Sequence, residues 1–110
     1  MIEIKEYLTE EGTSPFARWF DDLDPQAAAT VTIAIGRLTE GNTSNVKPIG
    51  EGAAELRIDR GPGYRIYFGW EGRVLVILLG GGTKRRQQND IEAALTRWRD
   101  YKRRAASRRT

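Results

Sequence analysis

Apolar residues follow two different periods along this chain, and the places where the period changes predict its elements. Ile2-Glu3-Ile4-Lys5-Glu6-Tyr7-Leu8 alternates apolar with polar, the spacing of a strand. The period then lengthens: Phe16, Trp19, Phe20 and Leu23 recur at helical spacing. They follow Ser14-Pro15, an N-cap residue with proline at the first helical position. Asp24-Pro25 repeats that start, and Ala27, Ala28, Val31, Ala34, Ile35 and Leu38 form a second stripe that Gly41 should stop. Two helix starts so close together predict a tight helical hairpin.

Beyond the polar loop Asn42 to Asn45 the period shortens again. Val46 to Ile49 reads as a short edge strand, because Pro48 cannot donate to a central ladder. Ala54 to Asp59, Tyr64 to Trp70 and Arg73 to Leu79 read as strands, with turns at Gly61-Pro62-Gly63 and Glu71-Gly72. From Gln87 to about Arg103 the helical period returns, with Ile91, Ala94, Leu95, Trp98 and Tyr101 on one face. Lys102 to Thr110 reads as a frayed basic tail. The order predicts an α+β fold: an N-terminal strand, a helical hairpin packed on an antiparallel sheet, and a C-terminal helix. The 110 residues suit one domain, expected over 1–104, with a basic tail over 105–110.

Composition narrows the chemistry. The chain has neither cysteine nor histidine, which removes thiolate nucleophiles, disulfides and every histidine-based triad. Catalysis would have to use Arg, Lys, Tyr, carboxylates or backbone. There is no secretory h-region and no apolar run of membrane-spanning length, so a cytoplasmic protein without a membrane partner is expected. The net charge of +3 conceals a strong asymmetry. Residues 1–55 carry four basic and ten acidic side chains, a net of −6, and residues 56–110 carry fourteen and five, a net of +9. A field of that kind suits nucleic acid or an acidic protein.

Register decides which charges meet, since a shift of one residue moves a whole strand's side chains to the other face. A three-residue loop at 60–62 or 61–63 keeps Leu56 and Ile58 on the same face as Tyr64, Ile66, Phe68 and Trp70. Glu55, Arg57 and Asp59 then share the other face with Arg65 and Tyr67, and Arg57 lies opposite Arg65 or Tyr67. A two-residue turn at Glu71-Gly72 would pair Trp70 with Arg73, Phe68 with Leu75 and Tyr64 with Leu79. Val74, Val76 and Leu78 would then line the arginine face. The chain should leave the sheet at Gly80-Gly81-Gly82, read as a flexible strand exit, and deliver Thr83-Lys84-Arg85-Arg86 beside Arg57 and Arg65. Clustered guanidinium groups repel unless acids or a ligand neutralise them. Two readings remain open: a phosphate held by several guanidinium forks, or cross-strand arginine–carboxylate pairs without a ligand.

Three segments carry a family likeness: Glu55-Leu56-Arg57-Ile58, Gly61-Pro62-Gly63-Tyr64-Arg65-Ile66-Tyr67-Phe68, and Gly81-Gly82-Thr83-Lys84-Arg85-Arg86-Gln87-Gln88-Asn89-Asp90-Ile91. With them the chain resembles the RelE/ParE superfamily of type II toxins, in particular the HigB-like, phage-derived addiction-module killer proteins. The resemblance implies a ribosome-associated mRNA endoribonuclease in which the RNA 2′-hydroxyl attacks the adjacent phosphate without a metal; no cofactor is expected. It also implies a small neighbouring antitoxin with a helix-turn-helix motif. Arg65 matches the strand arginine that contacts the scissile phosphate, Arg57 the basic position on the preceding strand, Lys84 the lysine of the GGdK motif, and Arg85 a second phosphate-binding arginine. Glu55, Arg60 and Arg86 are expected to bind substrate. Thr83 stands where the family usually has Asp, and no Tyr or His follows near Gln87 to Ile91.

With no histidine, Lys84 is the first candidate for proton transfer, because neighbouring like charges favour its neutral form, and Tyr67 is the second. ParE-like members inhibit DNA gyrase without cleaving RNA, so the fold also admits a gyrase inhibitor or a plain nucleic-acid-binding module. An antitoxin should bring acidic side chains and cover the Arg57/Arg65 groove or displace the final helix.

Overall fold

The computed structural model describes residues 1–108. Both predicted helix starts form. Ser14 Oγ accepts the Ala17 N–H at 3.0 Å at the head of α1 (Pro15–Asp21). Asp24 Oδ1 accepts the Ala27 N–H at 2.9 Å at the head of α2 (Pro25–Thr39). Caps of this kind contribute about 1 kcal/mol each. The strands are β1 (Glu3–Glu6), β2 (Val46–Gly50), β3 (Ala53–Ile58), β4 (Tyr64–Glu71) and β5 (Leu75–Thr83). A 3₁₀ turn at Lys84–Arg86 leads into α3 (Gln87–Arg108). The stretch expected to be a frayed tail is therefore helical through Arg108, and the rest of the 105–110 tail lies outside the described residues. Among the described residues no helix is long and apolar enough to cross a membrane.

The five strands form one sheet in the order β1-β5-β4-β3-β2. It is mixed rather than wholly antiparallel, because β1 runs parallel to the far edge of β5. The hairpin packs on one face: Phe16, Val31 and Leu38 meet Leu56, Ile58, Ile66, Phe68, Val76 and Leu78. The final helix packs on the other, where Ala94 and Trp98 meet Ala53, Tyr67, Ile77 and Leu79. Trp98 lies flat against Gly69, where a Cβ would overlap its ring, and its Nε1–H donates to the Glu51 carbonyl at 2.7 Å.

Leu56 pairs with Ile66 and Arg57 with Arg65, the register of the 60–62 loop. The last ladder pair is Ile58 with Tyr64, so residues 59–63 form the turn, with positive φ at Gly61 and Gly63. The next hairpin departs from expectation. Glu71 pairs with Leu75, Trp70 with Val76 and Phe68 with Leu78, which leaves residues 72–74 as the loop and places Arg73 and Val74 outside the strand. A three-residue loop reverses the faces of β5 relative to a two-residue one. Val76 and Leu78 consequently belong to the hairpin-side core, not to the arginine face. The run Leu75 to Leu79 is apolar at every position, so its pattern could not distinguish the two.

A bulge then lets Leu79 join the α3 side, after which Tyr67 pairs with Gly80 and Arg65 with Gly82. The glycine triplet is thus paired strand and not a flexible exit. Its residues make room for side chains from both layers. A Cβ at Gly81 would overlap the Trp19 ring, one at Gly80 would lie 2.6 Å from Arg97 Nη1, and one at Gly82 would overlap the Asp90 carboxylate.

Candidate functional site

The odd positions of β3 and β4 place four chemically active side chains on the α3 face: Glu55 opposite Tyr67 and Arg57 opposite Arg65. The apolar part of α3 covers the sheet around Ala94 and Trp98, and the polar start of the helix stands above this quartet.

Glu55 is 1% exposed and fully engaged. It accepts from Arg57 Nε at 2.9 Å and from Gln87 Nε2, which reaches both carboxylate oxygens at 2.7 and 2.9 Å. One buried carboxylate therefore fixes a strand arginine and the first residue of α3 together. Hydrogen bonds to a charged acceptor are the strong ones, about 1.5–3 kcal/mol each. The guanidinium of Arg57 is held at Nε while its side chain remains partly exposed.

Arg65 is far more enclosed, 4% exposed. Its Nη1 donates to the Tyr64 carbonyl at 3.1 Å and stands 3.7 Å from the carboxylate of the exposed Asp59. Its Nε has no partner among the described residues, and neither has the buried hydroxyl of Tyr67. Two donors without acceptors, adjacent on one strand face, are costly in a folded interior unless something binds them. Burial pushes the Tyr67 hydroxyl well above its ordinary pKa, the charges of Glu55 and Asp90 push it further, and Arg65 and Arg57 oppose them. Tyr67 thus retains its proton and can donate a hydrogen bond.

Lys84 joins this group through the backbone. Its N–H donates to the Gly63 carbonyl at 2.8 Å, and a Cβ at Gly63 would sit 3.2 Å from Lys84 Cβ and 3.7 Å from Arg65 Nη1. The 3₁₀ turn therefore abuts the β3–β4 turn at the Arg65 end. Arg85 and Arg86 are exposed on that same turn. Arg60 is the member of the expected set that stands apart: it lines a cavity between α2 and β3, together with Arg57 and Asp59.

Three residues of the site escaped the sequence reading. Gln87 falls one turn before Ile91 on the inward stripe of α3, which is the pattern that could have revealed it. Asp90 rests against Gly82, the ladder partner of Arg65. Burial raises its pKa, with Arg86 and Arg97 pulling the other way. Arg97 donates from Nη1 to the Leu79 carbonyl at 3.0 Å, and burial lowers its pKa against the opposing charges of Tyr7 and Asp90. Both depend on the glycines of β5, whose importance appears only once the strand is seen to run through them.

The whole arrangement is a shallow cationic site with a rigid floor. Guanidinium and phenol donors are aimed by strands, a lysine turn closes one end, and the single deeply buried acid is already occupied by Arg57 and Gln87. Donors of these types match an anion with several oxygens.

Comparison with known proteins bears on the chain as a whole. A Haemophilus influenzae protein described only as uncharacterized is 43% identical over 94 residues, which span 84% of this chain and 89% of that relative. The family model "Phage derived protein Gp49-like (DUF891)" matches residues 18–99, a stretch that contains both helices of the hairpin in large part, strands β2 to β5 and the start of α3. That family is associated with RelE-like toxins of toxin–antitoxin pairs, and the α+β architecture seen here is consistent with a RelE-like fold. By the extent of both matches, the chain belongs to the Gp49-like family of phage-derived proteins.

Proposed function

We propose that the protein is the toxin of a toxin–antitoxin pair and cleaves messenger RNA on the ribosome. The observation that carries this reading is Arg65: a nearly buried arginine, opposite Arg57, whose Nε, like the hydroxyl of Tyr67 on the same strand face, has no partner among the described residues. Both atoms are buried, so a phosphodiester supplies the missing acceptors only after the start of α3, pinned to Glu55 by Gln87, gives way. In the proposed reaction the RNA 2′-oxygen attacks the adjacent phosphorus, its proton passes to a base, and the 5′-oxygen leaves with a proton. Charge gathers on the nonbridging oxygens as the P–O bond forms. Arg65 and Arg57 neutralise it, and Tyr67 donates to the same oxygens. Lys84, at the exposed rim, is the proposed proton-transfer group; Arg85 and Arg86 draw in the RNA backbone. Glu55 and Gln87 orient Arg57 and do not meet the substrate.

Preorganised donors of this type are each worth about 10²–10³ in rate. Arg65→Ala should therefore abolish growth arrest and mRNA cleavage, read by primer extension, while the thermal midpoint changes little. Intact mRNA during a clear growth arrest would overturn the nuclease reading. The ordered helix through Arg108, with Lys102 and Arg103 exposed, favours one alternative, a gyrase inhibitor acting through α3. An SOS response insensitive to Arg65→Ala would be its mark. In either case the proposed antitoxin is acidic where it meets the second half of the chain, and its affinity should weaken with salt.

A further inference from the structure

On the hairpin side of the sheet, a cavity of about 290 Å³ opens between α2 and the end of β3. Its apolar wall includes Ile33, Leu56 and Ile58. Ile33 is 57% exposed, although Val31 and Leu38 on the same helix are wholly buried. An aliphatic side chain left open at the mouth of a cavity provides a flat apolar surface without a protein partner. Around it stand Arg37, Arg60 and Asn42. Neither arginine pairs with a carboxylate among the described residues. The Asn42 Oδ1 accepts from both the Ser44 N–H at 3.1 Å and the Ser44 hydroxyl at 2.8 Å, which leaves its amide N–H groups for something else.

This cavity adjoins the cationic site through shared residues. Arg57 lines it and is bonded to Glu55; Asp59 lines it and reaches Arg65. The ladder of β2 with β3 begins at Val46 opposite Leu56, so no strand covers the edge of β3 at Ile58. A chain held at Arg57 and Arg65 can cross that open edge into the cavity.

We infer that the α2–β3 cavity is a nucleobase subsite, which receives a base next to the phosphate bound at Arg57 and Arg65; this rests on the nucleic-acid reading above. The base face lies on Ile33, Leu56 and Ile58, and the Asn42 amide and Arg37 donate to acceptors on its edge. Arg60 meets the flanking phosphate. Apart from the Asp59 carboxylate, the polar groups named here are donors, which suits keto-bearing bases, since guanine offers the O6 and N7 pair that arginine grips. Charge alone would admit an acidic peptide as well; continuity with the phosphate site through Arg57 and Asp59 favours the base.

The test is an NMR titration of the full chain with guanosine 5′-monophosphate, ribose 5-phosphate and inorganic phosphate in parallel. The nucleotide should shift the Ile33 methyl and Asn42 side-chain amide signals saturably, whereas the two base-free phosphates should shift only the Arg57 and Arg65 Nε–H signals. Ile33→Asp should weaken nucleotide binding about tenfold, the scale of burying one aliphatic side chain, and leave phosphate binding unchanged. Ile33→Ala, a milder change at an exposed helix position, should weaken it in the same direction and covers the case in which the aspartate variant fails to fold. Nucleotide shifts identical to those of phosphate, or nucleotide affinity indifferent to both substitutions, would overturn the subsite. So would displacement of the nucleotide from Ile33 by a leucine-containing acidic peptide that binds there more tightly, which would make the cavity a protein-docking groove. Absence of any phosphate response at Arg65 would instead count against the nuclease site and leave the Ile33 result to be read on its own.

Discussion

The two faces of the central sheet are made from the same strands, but they are finished differently. On the hairpin side Leu56, Ile66, Phe68, Val76 and Leu78 meet α1 and α2 in an apolar layer. On the opposite side Glu55, Arg57, Arg65 and Tyr67 lie under or beside the start of α3, and two of their donors lack partners among the described residues. The first face is closed by its own side chains except at the α2–β3 cavity. The second holds its geometry through one buried carboxylate and rigid neighbouring strands, and it is electrostatically unfinished. Stability should accordingly be concentrated on the hairpin side and activity on the α3 side.

Phe68→Ala should be the most damaging change to stability, since it empties a wholly buried ring site; a loss of about 3–5 kcal/mol is expected from chemical denaturation. Arg65→Ala, directly across the sheet from that layer, should stay within about 1 kcal/mol of wild type, because the packing it loses is offset by removing a buried donor that has no partner among the described residues. If the two substitutions destabilise equally, the division between the faces fails.

The glycines of β5 make the same comparison on a finer scale. Gly81→Ala sets a methyl group into the Trp19 ring and should cost about 1–3 kcal/mol by overpacking. Gly82→Ala meets the end of a flexible Asp90 side chain, which can swing aside, so it should cost less and disturb activity more. Thermal midpoints and cleavage rates measured on both variants would separate the two effects.

Gln87→Ala sharpens the claim that α3 positions Arg57. It removes both Nε2 contacts to Glu55 and should destabilise by about 1–3 kcal/mol. The activity loss should fall on kcat and exceed that caused by alanine at the neighbouring exposed Gln88.

The smallest expected effects are on pH dependence, and α3 carries one acid of each sign. Asp100 accepts from the Tyr7 hydroxyl at 2.7 Å and pairs with Arg104, and these contacts hold its pKa below the ordinary carboxylate value. Its stabilisation is present above the unfolded value, about 3.9, and disappears as pH falls through the lower folded value. Asp90 is the reverse. Burial raises its folded pKa, so a cost appears as pH rises from the unfolded value through the folded one. Asp100→Asn should flatten the acid side of a stability-against-pH curve, and Asp90→Asn should raise stability at neutral pH. A neutral-pH loss in Asp90→Asn would mean that its pairing with Arg86 and Arg97 outweighs its burial.

Much of this architecture was legible because local chemistry left no alternative. Ser14-Pro15 and Asp24-Pro25 could start helices and little else. Parity in β3 and β4 was set by Leu56, Ile58, Ile66 and Phe68, which forced Arg57 and Arg65 together. The same logic failed in β5, because Leu75 to Leu79 are apolar on both faces and both faces are covered. Once that register moved, the glycine triplet changed from an exit to a paired strand, and Asp90 and Arg97 came into the site. The parallel pairing of β1 is a long-range choice that no local period encodes. The helical state of 105–108 was missed for a different reason. Its basic composition suggested fraying, but Ala105 and Ala106 favour helix, and Arg104 is anchored to Asp100 and the Leu8 carbonyl.

The parallel pairing also sets an order of events during synthesis. Glu3 pairs with Leu75, 72 residues later in the chain. At roughly 5–20 residues per second, β1 waits roughly 4–14 s for its partner to be made. Gln87, which holds Glu55 and through it Arg57, is made later still. Until then Glu55 has no helix to grip, and the arginine pair lacks its support. A nascent chain on the ribosome thus carries the guanidinium groups for most of its synthesis without the frame that aims them.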